Sequence, residues 1–213
     1  MKLYGYFRSS AAYRVRIALN WKGLEATREY VHLAKGEQRD PAYLKLNPQG
    51  LVPALVDDEG EVVLQSMAIL EYLEERHPEP PLLPADAAGR ARVRALGQAI
   101  ACDIHPLNNL RVLKYLTGEL GLGEAERGRW YRHWVHEGFA ALERMLADDS
   151  RTGRYCHGDA VTLADLCLVP QVFNARRFET DLTAYPMLTR IDEALNSLPA
   201  FAAAAPGRQA DAA

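Results

Sequence analysis

The chain has 213 residues, enough for one large domain or two small ones. Its charged and hydrophobic fractions, 25% and 48%, are those of an ordinary globular protein. Lys and Arg (25) against Asp and Glu (28) leave a net charge of −3, without the basic excess of a nucleic-acid-binding domain. No apolar run reaches the roughly 20 residues needed to cross a bilayer. The opening MKLYGYFRSS is apolar only briefly before Arg8, unlike a signal peptide. The expectation is therefore a cytoplasmic protein with neither a membrane nor a nucleic acid as partner. Cys102, Cys156 and Cys167 are scattered, with no CxxC spacing, and are expected to be free thiols rather than metal ligands.

In chain order, residues 2–7 are rich in aromatics and read as a strand. Ser9 and Ser10 supply N-cap chemistry for a helix over 11–22, with Gly23 at its C-cap. Residues 27–33 read as a second strand, 34–40 as a polar loop, and 41–46 as a short helix. Two apolar runs, 53–56 and 61–64, flank Asp57-Asp58-Glu59-Gly60 and predict a hairpin. Ser66 is expected to cap a helix with Ile69, Leu70 and Leu73 on one face, stopped by His77-Pro78. The order β-α-β-α-β-β-α suggests a thioredoxin-like domain over 1–80. Pro80, Pro81 and Pro84 mark a linker, set at 81–86.

Beyond it the pattern is helical, giving an all-α domain over 87–213 and an α/β plus all-α fold. One long helix is expected over 87–116. A second over 124–146 places Trp130, Trp134, Phe139, Leu142 and Leu146 on its apolar face. Thr162 and Asp165 form a near capping box opening a third, a structural rather than functional pair, and Pro170 should kink or end that helix. A fourth covers 187–198. The tail from Ala202 is rich in Ala, Pro and Gly and is expected to be loose.

Chemistry concentrates at two helix starts. Ser9 and Ser10 lie where free N–H groups and a positive dipole end favour an anion, although plain capping would use the same residues. Gln65 and Ser66 offer the same combination at a second start. Val52-Pro53 is a candidate cis bond, against an ordinary trans proline at a strand start.

Five segments in order tighten the reading. Tyr6-Phe7-Arg8-Ser9-Ser10 through Arg14-Val15-Arg16-Ile17, Asn47-Pro48-Gln49-Gly50-Leu51-Val52-Pro53, and Gln65-Ser66-Met67-Ala68-Ile69 come first. Asp103-Ile104-His105-Pro106 through Asn109-Leu110-Arg111, and Gly158-Asp159 through Arg177-Phe178, complete the set. Together they resemble the zeta-class glutathione transferases, the family of the maleylacetoacetate isomerases, over residues 2–209. The resemblance implies the two-domain fold of cytosolic glutathione transferases, a homodimer and glutathione as cofactor. It also implies cis-trans isomerisation of maleylacetoacetate to fumarylacetoacetate, in tyrosine and phenylalanine catabolism, by reversible thiolate addition. Maleylpyruvate isomerisation, or transferase chemistry on α-halo acids, is the alternative.

Residue by residue, the resemblance implies that Ser9 donates to the thiolate with Ser10 beside it. Val52 and Pro53 would meet the cysteinyl part of glutathione, and Gln65 and Ser66 its γ-glutamyl end. Gln38, Arg14, His105, Asn109 and Arg111 are further cofactor contacts. Arg8, Arg111 and Arg177 are expected to clamp a dicarboxylate, for which arginine's planar fork is suited, and His105 to donate or shuttle a proton. Many relatives carry Cys where this chain has Ala11. A redox reading needs a nucleophilic cysteine near the first helix, and residues 1–80 contain no cysteine.

Overall fold

The structure, a computed structural model, describes residues 1–212. The chain divides into two compact units, one of residues 1–82 with those from Asn196 on, the other Leu83–Leu195. No helix among the described residues is long and apolar enough to cross a membrane.

The first unit contains strands β1 (Lys2–Gly5), β2 (Thr27–Tyr30), β3 (Ala54–Val56) and β4 (Val62–Leu64). They form one mixed sheet in the order β2-β1-β3-β4. β1 and β2 run parallel, while the β1–β3 and β3–β4 pairs are antiparallel. The parallel pair needs a crossover, and helix α1 (Ser10–Trp21) supplies it. Helices α2 (Pro41–Leu46) and α3 (Ser66–Arg76) follow in their expected places. Only β2 falls well short of the expected 27–33: the chain leaves the sheet after Tyr30.

Every residue of α1 from Ser10 to Leu19 is buried, which a helix on one face of a sheet cannot achieve alone. The cover comes from α3 and from a helix that composition does not reveal, Pro199–Ala204, whose Phe201 is fully buried. Asn20 Nδ2 donates to Ala200 O at 3.0 Å, and Arg16 Nε to Ala204 O at 3.0 Å. The tail expected to be loose and to belong to the helical half therefore forms part of the first unit. Its small alanines permit close approach, and Phe201 supplies the apolar anchor.

The far ends of α1 and α3 are tied by one buried cation. Lys22 Nζ donates to Glu74 Oε2 (2.8 Å), His77 O (2.7 Å) and Pro80 O (2.9 Å). The Glu74 carboxylate also accepts from Leu82 N at 3.0 Å. All three ammonium donors are thus used, the condition under which a buried charge is tolerated.

The second unit is helical: α4 (Ala87–Gln98), α5 (Leu110–Gly118), α6 (Glu124–Ala147), α7 (Leu163–Arg177) and α8 (Pro186–Asn196), the tail helix being α9. The single helix expected over 87–116 is broken. A π-helical turn occupies Ala99–Ile104, a 3₁₀ turn Pro106–Asn108, and Asn109 caps a new start. Pro106 lacks the N–H that a continuing helix needs. At Pro170, where a kink or an end was expected, the helix does not end: α7 runs on to Arg177. All of α7 from Leu163 to Val172 is buried, and that packing outweighs the loss of one backbone donor. The buried face of α6 is Tyr131, Val135, Phe139, Leu142 and Leu146, with Trp130 and Trp134 only half-buried. At the start of α7 the Asp165 carboxylate accepts from Thr162 N (2.7 Å), Thr162 Oγ1 (2.8 Å) and Cys156 N (2.9 Å). The three cysteines are free thiols, and burial pushes that of Cys156 well above its ordinary range, which makes it unreactive.

Candidate active site

The chain leaves β1 through Tyr6–Arg8 and enters α1 at Ser9. Ser9 N donates to Tyr6 O at 3.0 Å, which folds the connection into a tight turn. Ser9 has extended backbone angles (φ −72°, ψ 116°), and its Oγ accepts from Ala12 N at 3.2 Å. It is the N-cap of α1, and the accepting oxygen leaves the hydroxyl proton available to donate elsewhere. Ser10, the first helical residue, is buried, while Arg8 is exposed with its guanidinium 4.7 Å from the Phe7 ring centroid.

A second helix start is fastened to the first. Arg14, one turn into α1 from Ser10, is 1% exposed and donates from Nη1 to Ser66 Oγ at 3.1 Å. Ser66 opens α3, so a buried guanidinium links the two N-termini. Arg14, expected among the cofactor contacts, is placed by this bond directly behind Ser66. Gln65, rather than Ser66, is the N-cap residue, and it has φ +70°. A non-glycine residue there is uncommon, and such backbone tends to cluster at ligand sites.

The loop ahead of β3 completes the group. Asn47 is buried; its Nδ2 donates to Leu51 O at 2.7 Å, and its Oδ1 accepts from Gln49 N at 3.1 Å. Tyr43 Oη donates to the same Leu51 carbonyl at 2.6 Å, and burial pushes its pKa up to about 12, so it remains a neutral donor. The Val52–Pro53 bond is cis. Val52 packs in a small core with Tyr6, Val31 and Tyr43, and Phe7 rests against it. Gln65 Nε2 reaches Gln49 Oε1 at 2.7 Å and ties the loop to α3. Gly50 has φ +60°, and a Cβ there would lie 2.9 Å from Gln38 O. Gln38 itself holds a buried amide oxygen with no hydrogen-bond partner among the described residues.

The remaining candidates belong to the second unit. His105 follows the π-helical turn, its N–H donating to Ile100 O at 2.9 Å. The preceding Ile104 fills a notch over α6, where a Cβ on Gly138 would come within 2.2 Å of its Cγ1. Such turns frequently occur at functional positions. Asn109 uses its Oδ1 to accept from Arg111 N at 3.1 Å, capping α5 and leaving Arg111 exposed in the first turn. Arg177 is exposed in the last turn of α7, its Cζ 4.8 Å from the Phe178 centroid. Phe178 stacks on Tyr131 at 3.7 Å and 11°. Trp130 Nε1 donates to Leu107 O at 2.8 Å, and Asn108 Nδ2 to Tyr131 O at 3.3 Å. One turn of α6 therefore supports both the 105–111 segment and the Arg177 shelf.

Comparison with known proteins bears on what this arrangement is. Residues 8–76 match the family model of the glutathione S-transferase N-terminal domain, and residues 126–206 that of the C-terminal domain. A probable maleylacetoacetate isomerase of Vibrio cholerae is 53% identical, over 99% of this chain and 97% of its own. A bacterial maleylpyruvate isomerase solved in its holo form, described as a zeta-class glutathione S-transferase, is 52% identical with a TM-score of 0.97 over the whole of both chains. The chain belongs to the zeta class of the glutathione transferase family. A maleylacetoacetate isomerase of Methylobacterium extorquens, solved with malonate and glutathione bound, is 45% identical with a TM-score of 0.97, again over both whole chains.

For a zeta-class protein the donor set of the first unit suits glutathione. Glutathione brings a thiol and carboxylates, and two linked helix N-termini provide two places for negative charge. It also brings amine and amide donors, for which the Gln38 oxygen is an unused buried acceptor. Gly50 keeps the loop between them open to close approach. Of the residues singled out from sequence, Ser9, Ser10, Arg14, Gln38, Val52, Pro53, Gln65 and Ser66 belong to this unit. Asn47 and Gln49 lie in a segment already quoted from sequence, though without a role of their own there; Tyr43, which holds the same loop through the Leu51 carbonyl, escaped sequence reasoning.

Proposed function

We propose that the protein is a glutathione-dependent cis-trans isomerase acting on maleylacetoacetate. The observation that carries the reading is the Arg14 bridge between the helix starts at Ser10 and Ser66. It gives one unit two anion-favouring positions, as a thiolate and a γ-glutamyl carboxylate require. Glutathione, when bound, supplies the thiol whose reversible addition to the cis double bond permits rotation.

The chain's own groups do the rest. Ser9 donates a hydrogen bond from its hydroxyl to the thiolate sulfur, and the N-terminus of α1 adds its positive end. Both lower a thiol pKa that is near 8.5 for a free cysteine. Ser66 and the backbone beyond Gln65 bind the γ-glutamyl carboxylate, and the Val52 backbone pairs with the cysteinyl part. Gln38 accepts a donor from the peptide. Arg8, Arg111 and Arg177, all exposed forks, bind the substrate carboxylates. His105 and Asn109 act in the same segment as Arg111, His105 as the group that holds or delivers a proton. The same reading takes the enzyme to be a cytoplasmic homodimer serving tyrosine and phenylalanine breakdown, with its domain boundary near residues 81–86.

The test is a Ser9→Ala variant. Loss of a donor to a developing anion lowers kcat/KM by about 100-fold, whereas loss of the cap costs only about 1 kcal/mol of stability. The ultraviolet absorbance of bound glutathione, titrated with pH, should show its thiol pKa rising in the variant. A variant with unchanged thiol pKa and turnover would remove Ser9 from the chemistry. Maleylpyruvate is the second candidate substrate, favoured by the 52% identity to a maleylpyruvate isomerase over both whole chains.

A further inference from the structure

The turn that carries Ser9 is gripped by two groups outside it. Arg16, two turns into α1 and 4% exposed, donates from Nη2 to Phe7 O at 3.0 Å and from Nη1 to Tyr6 O at 3.4 Å. Its third nitrogen, Nε, holds Ala204 O at 3.0 Å. The carbonyls of the Ser9 turn and of the tail helix are therefore fixed by one planar fork. The tail then returns. After α9, Gln209 Nε2 donates to Ala203 O and Ala205 O at 3.0 Å, which folds the segment back. The 3₁₀ turn Ala210–Ala212 then brings Asp211 to the turn, where its Oδ2 accepts from Phe7 N at 2.9 Å.

Phe7 is thus held at both its backbone polar groups, its carbonyl by Arg16 and its N–H by Asp211. The carboxylate also compensates the buried guanidinium. Burial and the neighbouring Arg28 push Arg16 down to about 10, and Tyr13 and Asp211 pull it back up. A cavity of only about 10 Å³, lined by Phe7, Arg16, Arg28 and Asp211 among others, leaves room for about one water.

We infer that Asp211, acting with Arg16, is a positioning residue for the Ser9 turn, so that the tail sets where the Ser9 hydroxyl and the first N–H groups of α1 point. The inference rests on the glutathione reading of that turn. It assigns the tail beyond α9 a function that composition gives no hint of.

The experiment uses the full chain as Asp211→Ala and Asp211→Asn. Asparagine keeps an acceptor oxygen for Phe7 N–H and removes the charge; alanine removes both. Hydrogen exchange of the Phe7 amide without glutathione is read first. Alanine should speed it by about tenfold, the scale of a hydrogen bond to a charged group, and asparagine by less than about threefold. Alanine should raise the glutathione KM by about tenfold with a smaller change in kcat, and raise the pKa of the bound thiol. Asparagine should restore both. Both variants remove the charge that faces the buried Arg16 and should lower the melting temperature to a similar extent, so the difference between alanine and asparagine reads the Phe7 bond. Exchange in Asp211→Ala at the wild-type rate would overturn the inference, as would equal losses in both variants that track melting temperature. A wild-type protein that leaves the glutathione thiol pKa unmoved, while alanine still frees the Phe7 amide, would uphold the latch and overturn the glutathione reading.

Discussion

Replacing Gly50 by alanine separates backbone strain from damage to the loop ahead of β3. Two costs follow from the structure. The residue sits at φ +60°, where an L side chain costs about 1–2 kcal/mol. Its Cβ would also lie 2.9 Å from Gln38 O, 3.0 Å from Arg39 Nη1 and 3.3 Å from Leu44 Cδ2. The arginine can swing aside, but the carbonyl belongs to a backbone turn, so the loop must shift; overpacking of this kind costs about 1–3 kcal/mol. Together the expected destabilisation is about 3 kcal/mol, or roughly 10 °C in Tm for a chain of this size. Because the shifted segment runs directly into Val52 and the Gln49–Gln65 bond, the glutathione KM should rise more than kcat falls. Gly60 is the control: its φ is +89°, and nothing lies within 4 Å of a Cβ placed there. Gly60→Ala should incur the strain alone and leave the glutathione KM unchanged. The assays are chemical denaturation and steady-state kinetics with varied glutathione. Equal stability losses and equal KM values in the two variants would refute the steric argument.

Other outcomes follow from buried and surface charge. Lys22→Met leaves Glu74 buried without its ammonium and should cost about 3–5 kcal/mol by denaturant titration. A loss under about 1 kcal/mol would show that the carboxylate is satisfied without Lys22. Stability should also fall in acid. Hydrogen bonds from Arg151, Gly89, Tyr72 and Thr183 hold Asp149, Asp86, Asp57 and Asp181 below the ordinary value of 3.8. A carboxyl lowered on folding contributes fully above its unfolded value, and that contribution disappears as pH falls through the folded one. Melting temperature should therefore decline below about pH 4, although Asp165, raised by burial, opposes the trend. Asp149→Asn should lower Tm near neutrality and converge on wild type in acid; a constant offset at every pH would contradict the linkage.

Much of the first unit was legible because its signals are local. Ser9 ahead of an apolar helix, the acidic turn at 57–60 and the proline after His77 each act within a few residues. The elements they predict are all present, β2 only in part. The tail was misread because its order depends on distant partners, Asn20 and Arg16 in α1, which composition cannot register. Of the two outcomes expected at Pro170, a kink or an end, the helix does not end there, because α7 is buried continuously from Leu163 to Val172 and that packing carries it past the proline. The break at Pro106 was there to be read, but the long helical period on both sides concealed it. At the candidate site the residue types were legible and their roles less so. Arg14 was legible as a cofactor-contact candidate, but not its burial or its bond to Ser66, and Asn109 uses its amide oxygen to cap α5. The positive φ of Gln65 had no sequence signal, since glycine is the residue normally expected there.

The most direct test of the central claim is turnover of maleylacetoacetate by the purified protein, followed by absorbance with and without glutathione, with maleylpyruvate run in parallel. The account predicts rapid isomerisation that vanishes when glutathione is omitted and returns on its addition without net consumption. The ratio of the two rates names the preferred substrate. Failure to turn over either substrate, in a protein that still binds glutathione, would contradict the isomerase assignment and leave a transferase acting on other electrophiles, such as α-halo acids.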